Sequence, residues 1–445
     1  GAPALRQHRP PTAMSRRPLL QTATRLAAAL GATLLVLALL VLWLNLRGEA
    51  PLVPDPSPVP AADAATLARG AYLARAGNCA GCHTARGGAP YAGGRGIATP
   101  FGTVYAGNLT PDASGLGGWT AAQFRRALWH GRSADGRLLA PAFPYTHFTL
   151  VTREDADALW AHLRSLPPVA QANRPHALRW PYGSQAALAV WRALFFRPQA
   201  GSDPEAAAGP DPRQRGRYLV DGLGHCSACH GSRNLLGGSS ALGGSTGGSA
   251  LPGQRWQAPS LTDPQQLAAG RRSADELVQL LKTGLSDRAA VMGPMAEVVA
   301  DSTQHLTDAD LHAMVAYLQS LAPADHTAPA AHAALPPRDG ATLDQGRRLY
   351  ADHCSSCHGS QGQGAPGAYP ALAGNPTVTL PDPANLVQAI TGGGFPPATA
   401  GNPRPYGMPA FDLPHEDLAA LATWLRASWG HDAAPVTPVQ VLLVR

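Results

Sequence analysis

The stretch RGAYLARAGNCAGCH, residues 69–83, decides how this chain is read, because its pattern occurs three times. RGRYLVDGLGHCSACH from Arg215 and QGRRLYADHCSSCH from Gln345 carry the same order: Gly-x-x-Leu, a few helix-forming residues, then Cys-x-x-Cys-His. A second feature follows each: GNLT from Gly107, PSLT from Pro259 and GNPT from Gly374. An amphipathic stretch closes each unit: TREDADALWAHLRSL from Thr152, TDADLHAMVAYLQSL from Thr307 and PHEDLAALATWLRASW from Pro414. Thr152 and Thr307 are good helix N-caps with acids in the first turn, and Pro414 is a typical first-turn residue. Such self-similarity means one structural unit used three times. Aligning the closing helices on Leu163, Leu318 and Leu425 brings His162, Tyr317 and Trp424 into register. Each ring is expected to pack on the glycine of its opening helix, Gly70, Gly216 or Gly346, where a missing side chain permits close approach.

All six cysteines fall in the pairs Cys79/Cys82, Cys226/Cys229 and Cys354/Cys357, so none is left for a structural disulfide. Two thiols three residues apart share one helical turn and can each form a thioether with a vinyl group of one haem. The next residue, His83, His230 or His358, then offers its imidazole to the iron. The same spacing also serves thiol redox chemistry and zinc, but a zinc ribbon needs a second Cys pair per unit and none exists. Threefold repetition in one context points to three covalently bound haem c groups.

At 445 residues, two to four domains are expected. Only 14% of residues are charged, against 48 Gly and 43 Pro, which suits helices and long loops wrapped round something other than side chains. The formal charge of +6 does not signal nucleic acid. Arg6, Arg9, Arg16, Arg17, Arg25 and Arg47 all precede the first acid, Glu49, and account for the whole excess. Between them runs the uncharged stretch LAAALGATLLVLALLVLWLNL, residues 26–46, about the length that spans a hydrocarbon core of ~30 Å. Arginines on its N-terminal side predict that this end stays in the cytoplasm and the rest is exported. A cleaved signal peptide is the alternative. Signal cores are typically about 7–15 residues, and no small-residue cleavage site follows Leu46, so a retained anchor is favoured. PLVPDPSPVP, residues 51–60, is expected to be a semi-stiff spacer.

From Leu67 to Trp429 the chain resembles the membrane-bound, three-haem cytochrome c subunits of bacterial periplasmic dehydrogenases. The phrases that carry the likeness are YAGNLTPDASGLGGWTAAQF from Tyr105, GRLLAPAFPYTHF from Gly136, VDGLGHCSACHGSRN from Val220 and GPMAEVV from Gly293. Members of that group serve quinoprotein alcohol dehydrogenases, flavin-dependent sugar and sugar-acid dehydrogenases, and molybdenum hydroxylases acting on aldehydes or N-heterocycles. The resemblance implies an all-α body of three tandem class I-like cytochrome c domains behind one N-terminal transmembrane helix. The expected bounds are 1–25 for a basic cytoplasmic tail, 26–46 for the anchor and 47–66 for a linker. Domains at 67–200, 201–322 and 341–430 follow, then a tail at 431–445. RPQAGSDPEAAAGPDP from Arg197 and APADHTAPAAHAALPPRDG from Ala322 read as linkers, and the Gly/Ser stretch 237–250 as a surface loop.

A c-type iron usually takes a Met sulfur on its open face. For the second site Met292 and Met295 are candidates, and the resemblance favours Met295; Met314 lies on a core-like helix face. For the third, Met408 in YGMPAF is the candidate. The first unit has no Met. Relatives look like PAMPY where this chain has PAFPY, and Phe143 cannot bind iron. His130, His147 and His162 remain, and His147 occupies the loop ahead of the closing helix as the ligand Mets do; an open iron is the alternative.

No Rossmann glycine fingerprint or trusted Ser-His-Asp order suggests a substrate site, so the expected function is electron relay from a catalytic dehydrogenase subunit to ubiquinone or a terminal oxidase. The missing first Met leans the partner towards a molybdopterin subunit with a [2Fe-2S] subunit. The alternative is a PQQ- or flavin-dependent alcohol or sugar dehydrogenase. A multihaem enzyme with an open first iron is a rival class, and a soluble carrier would require cleavage of residues 26–46. No nucleic-acid partner is expected, and the bulk of the chain is placed in the periplasm at the cytoplasmic membrane. RWPYGSQAALAVWRALFF, residues 179–196, is either a strap over the first domain or a docking surface. The tail VTPVQVLLVR, from Val436, is apolar enough to touch membrane or partner.

Overall fold

The computed structural model describes residues 17–52, 62–199, 211–238, 248–263, 266, 272–321 and 338–445. The basic tail before Arg17, residues 53–61 of the spacer, residues 239–247 of the Gly/Ser stretch and most of both Pro/Ala-rich linkers lie outside the described residues.

Each unit is built on one crossing. In the first, opening helix α2 (Ala64–Ala76) crosses closing helix α3 (Arg153–Arg164). A Cβ on Gly70 would sit 2.0 Å from the Ala158 carbonyl oxygen and 2.7 Å from the His162 Cβ, so no other residue fits without parting the helices. The Gln185–Phe195 helix, α4, follows. The second unit pairs α5 (Pro212–Arg217), which widens into a π turn at Tyr218–Leu223, with α6 (Asp308–Ser320). There a Cβ on Gly216 would sit 2.0 Å from the Ala313 carbonyl oxygen and 2.8 Å from the Tyr317 Cβ. The third pairs α7 (Gly340–His353) with α8 (His415–Leu425), where Gly346 meets Trp424. The expected ring-on-glycine packing therefore holds in all three. Met314 is buried in the core that units 1 and 2 share, as its helix face implied.

The frame is helical, but not purely so. An antiparallel sheet of β1 (Gly96–Thr99), β2 (Gly102–Tyr105) and β3 (Ala177–Leu178) ties the end of the first unit back to its middle. Two-residue ribbons pair Ser249–Ala250 with Gln257–Ala258 and Leu285–Ser286 with Ala289–Ala290. The tail does not stand apart. It forms α9 (Pro438–Val444), capped by Thr437, and buries Val441 against the third unit's core.

Units 1 and 2 grip each other reciprocally, as the two halves of a twofold interface do. Asp155 and Asp310 sit three residues past the N-caps Thr152 and Thr307 and each binds the arginine of its own opening helix. Arg69 Nε donates to Asp155 at 2.6 Å, and Arg215 donates to both Asp310 oxygens at 2.8 Å. A tyrosine from the other unit completes each cluster: Tyr218 Oη donates to Asp155 at 2.6 Å and Tyr72 Oη to Asp310 at 2.5 Å. In the third unit the matching position is Arg348, and Gln345 bonds Asp417 in place of the arginine. That unit joins the second by other means. Gln257 N–H donates to Asn385 Oδ1 and Asn385 Nδ2 to the Gln257 carbonyl, both at 2.8 Å, while Ala371 N–H donates to the Asp287 carbonyl at 2.9 Å.

Helix α1 (Arg17–Leu46) stands clear of the units along most of its length. Gln21–Leu46 is long and apolar enough to cross a membrane. Its last turn is bolted down. Asn45, 5% exposed, donates from Nδ2 to the Ala189 carbonyl at 2.9 Å and accepts from Arg192 Nε at 2.9 Å. Glu49 accepts from Arg132 Nε at 2.7 Å, and Arg47 donates to the Phe196 carbonyl at 2.9 Å. His130 is buried there, and Arg192 donates to its carbonyl.

Candidate haem sites

Each Cys-x-x-Cys-His sequence forms a single helical turn: Cys79–His83, Ser227–His230 after Cys226, and Ser355–His358 after Cys354. All six thiols are free: Cys79, Cys82, Cys226, Cys229, Cys354 and Cys357. Burial, and in each case a neighbouring cysteine, pushes Cys79 and Cys226 up to about 12 and Cys354 up to about 11. Such sulfurs stay protonated while they are unligated. Among the described residues no group of three or more His, Cys, Asp or Glu side chains is arranged to hold a bare metal ion.

The surroundings of Cys357 differ from those of the other motif sulfurs. It is half-buried beside buried Cys354, and its thiol is already engaged. Ser356 Oγ donates to its Sγ at 3.9 Å. The serine has no counterpart before Cys82 or Cys229, where Gly81 and Ala228 stand.

The histidines are aimed by one device. Nδ1 of His83 lies 2.7 Å from the Gly107 carbonyl, Nδ1 of His230 2.7 Å from that of Pro259, and Nδ1 of His358 3.0 Å from that of Pro370. A carbonyl can only accept, so Nδ1 carries the proton and Nε2 keeps a free lone pair. Burial lowers all three imidazoles from their ordinary value and keeps them neutral, while the carbonyl bond opposes this in part. A neutral imidazole with its far nitrogen free is what an iron ligand requires, and an oriented carbonyl behind it raises its basicity. Paired unlinked thiols beside such an imidazole fit covalent haem.

The third acceptor corrects the sequence alignment. GNLT and GNPT do share a local turn: Asn108 Oδ1 accepts from Thr110 N–H and Asn375 Oδ1 from Thr377 N–H. In the third unit, however, that turn caps the Pro376–Thr379 helix, and the histidine is held by Pro370 upstream. The loop from histidine to acceptor is 12 residues there, against 24 and 29 in the others, which displaced the match.

The first two sites lie back to back. A Cβ on Gly77, just before Asn78 and Cys79, would lie 3.5 Å from Cys79 Sγ and 3.6 Å from Leu223 Cδ2 of the second unit. Arg95 spans the junction, donating at 2.7 Å to the Gly81 carbonyl inside the first motif and at 2.5 Å to Glu297 of the second unit. The third site adjoins the second, since Ala371, which bonds Asp287, follows the carbonyl that holds His358.

Met408 is half-buried against the third core and pairs its backbone with Gly394. The Met292 methyl lies against Gly394, so Met292 belongs to the junction of units 2 and 3. Met295 lies in the first turn of the Pro294–Asp301 helix. His147 lies against the second unit. Its Nδ1 lies 2.9 Å from the Asp221 carbonyl and its Nε2 3.5 Å from Ser227 Oγ, both in the second unit. The reason is the short Tyr145–Phe148 helix, which packs Phe143 and Phe148 together and carries His147 onto the π turn of unit 2. Its placement makes it a bridge between units. His162 lies on Gly70 with Tyr91 at its edge, a packing role.

The model of the family described as Cytochrome c matches residues 67–167, 214–322 and 343–429. The chain belongs to the cytochrome c family, whose domains bind haem c covalently. It is 39% identical over 406 residues to the alcohol dehydrogenase (quinone) cytochrome c subunit of Gluconacetobacter polyoxogenes, covering 87% of this chain and 85% of that one. It is 37% identical over 409 residues to the gluconate 2-dehydrogenase cytochrome c subunit of Pantoea cypripedii, covering 86% and 90%. It is also 39% identical over 419 residues to a nicotinate dehydrogenase subunit of Pseudomonas putida, covering 92% of this chain but 34% of that longer protein.

Proposed function

We propose that this chain is the electron-transfer subunit of a dehydrogenase complex, holding three haem c groups and tethered by α1 to the cytoplasmic membrane with its units in the periplasm. The observation that carries the reading is the threefold Cys-pair turn whose histidine is locked by a backbone carbonyl with Nε2 left free. The relatives, named as cytochrome subunits of alcohol, gluconate and fructose dehydrogenases, give the reading its partner class. Haem iron supplies one-electron transfer at each site.

The residues supply the rest. Cys79/Cys82, Cys226/Cys229 and Cys354/Cys357 fix three groups to the chain, and His83, His230 and His358 hold one face of each. Met295 and Met408 are assigned to the opposite faces of the second and third. For the first, His147 would serve only by turning from Ser227, and Phe143 closes the place where relatives look to have a ligand Met. The reciprocal Tyr–Asp–Arg clusters keep the first two sites adjacent, and the hairpin carrying Asp287 keeps the third beside the second. A single file of sites suits a relay from a catalytic subunit to ubiquinone or a terminal oxidase.

The unusual first unit leans the partner towards a molybdopterin subunit with a [2Fe-2S] subunit; a PQQ- or flavin-dependent alcohol or sugar dehydrogenase is the second reading, favoured by the names of the relatives. Purification of the tagged chain from detergent-solubilised membranes tests both. The expected result is an intact mass raised by three haems and a co-purifying dehydrogenase subunit whose cofactor decides between the readings. A mass without haem increments, or a haem-bearing chain that oxidises substrate alone, overturns the proposal.

A further inference from the structure

Helix α4 has an unusual surface. Over Gln185–Phe195 its sole charged residue is Arg192, and that side chain is turned inward, 3% exposed, onto Asn45 and the His130 carbonyl. The outer side presents Ala186, Val190 and Leu194, spaced four apart so that they form one stripe; Val190 is 48% exposed and Leu194 61%. Leu236, on a loop of the second unit, extends the stripe: its carbonyl accepts from Trp191 Nε1 at 2.8 Å, and neighbouring Leu235 is 98% exposed. A surface helix of a soluble domain carries charge on its outer face. This one carries none.

What covers it follows from where it is fixed. Ala189, on the same helix, holds Asn45, so α4 packs on the last turn of α1 and replaces lipid there. At the same level α1 exposes Leu42, Trp43 and Leu46, beside the apolar side of α4. Exposed Trp180 precedes the helix, while Arg179 and Arg197, also exposed, flank it. Aromatic rings and long cationic side chains at the edges of an apolar face match the headgroup layer. We infer that the stripe of α4, with Leu235 and Leu236, is a second membrane contact that lies in the interfacial layer of the bilayer. Rigid attachment to α1 then sets the tilt of unit 1, so its site is held at a fixed height above the lipid. The inference rests on α1 spanning the bilayer.

The test places the photo-crosslinking residue p-benzoylphenylalanine at Val190, at Leu194 and, as a check on the anchor, at Leu37 in the full chain in its native membranes. Irradiation followed by mass spectrometry should give phospholipid adducts at all three positions. Adducts at Leu37 with none at Val190 and Leu194 overturn the inference and leave the anchor intact. No adduct at Leu37 overturns the anchor itself. A crosslink from Val190 or Leu194 to another polypeptide overturns the membrane contact in favour of subunit docking.

Discussion

Replacing Tyr218 by Phe isolates one hydroxyl at the interface of units 1 and 2. Tyr218 is 3% exposed, and its Oη donates at 2.6 Å to Asp155, whose residue is wholly buried. The ring stays, so packing is kept. What is lost is a charge-assisted hydrogen bond to a carboxylate that water cannot reach, at about 1.5–3 kcal/mol. Arg69 still holds the carboxylate, which puts the expected cost near the middle of that range, about 2 kcal/mol or roughly thirtyfold in the opening equilibrium. Tyr72→Phe should cost less, because Tyr72 is only partly buried. The two changes should not add, since Arg215 feels Asp155 and Asp310 feels Arg69, making one coupled cluster of two clamps.

Global denaturation would mix three units, so native-state hydrogen exchange is the suitable assay. Amides of α2, α3, α5 and α6 should lose protection, while α7 and α8 of the third unit, which lacks the tyrosine, should not. The cluster also has an acid limit. Burial alone would raise Asp310, but the hydrogen bonds from Arg215 and Tyr72 outweigh it and hold the carboxyl below its ordinary value. A depressed folded pKa contributes stability above the unfolded value of about 4, and that stability is lost as pH falls through the folded value. Protection at the interface should therefore decline below about pH 4, before that of the third unit's crossing. If both Phe variants leave protection in units 1 and 2 within about 0.5 kcal/mol of the parent, the tyrosines do not hold the interface and the reasoning fails.

Five other substitutions probe separate parts of the molecule. Gly216→Ala would drive a methyl to 2.0 Å from the Ala313 carbonyl, so the α5–α6 crossing must open by about 1 Å; a loss of about 3 kcal/mol or failure to accumulate is expected, read by thermal melting. Gly340→Ala, whose Cβ meets nothing within 4 Å, should leave the melt unchanged. Met408→His and Met295→His should each lower one midpoint in a redox titration, since Met ligation raises a haem potential relative to His; titrations identical to the parent would remove those ligand assignments. Arg426→Met would strand the carbonyls of Val378, Leu380 and Ala434, which the buried guanidinium now binds at 2.7–2.9 Å. About 3 kcal/mol should be lost from the third unit alone, seen as earlier exchange in α8.

Local chemistry was legible in the sequence wherever one short segment sufficed to express it. Cys-x-x-Cys-His is such a case, and so is a glycine facing a ring four residues past a small one, because both are set by the geometry of one or two helices. The pairing of units 1 and 2 was less visible, though a trace was present. Arg69 and Arg215 are each followed three residues later by a tyrosine, and the third repeat breaks the pattern with Gln345 and Arg348. Such a difference between repeats marks which copies share an interface, since residues needed inside every unit recur in all three and residues needed between two recur in two. His147 was legible only in part: its position in the loop suggests a ligand role, while the hydrogen bond that places its ring crosses 74 residues to Asp221.

The anchor teaches the same point at longer range. An apolar run predicts a span from composition alone, yet nothing in residues 26–46 announces that Asn45 will meet Arg192, 147 positions away. The signal is a polar residue at the end of an apolar helix and an arginine in the middle of another. Each alone would be costly to bury, and burial is tolerated because Asn45 Oδ1 accepts what Arg192 donates. A mobile tether would need no such bond. A relay whose first site must keep a fixed height above the bilayer would, and the same bond that orients unit 1 leaves α4 with its apolar side to the lipid.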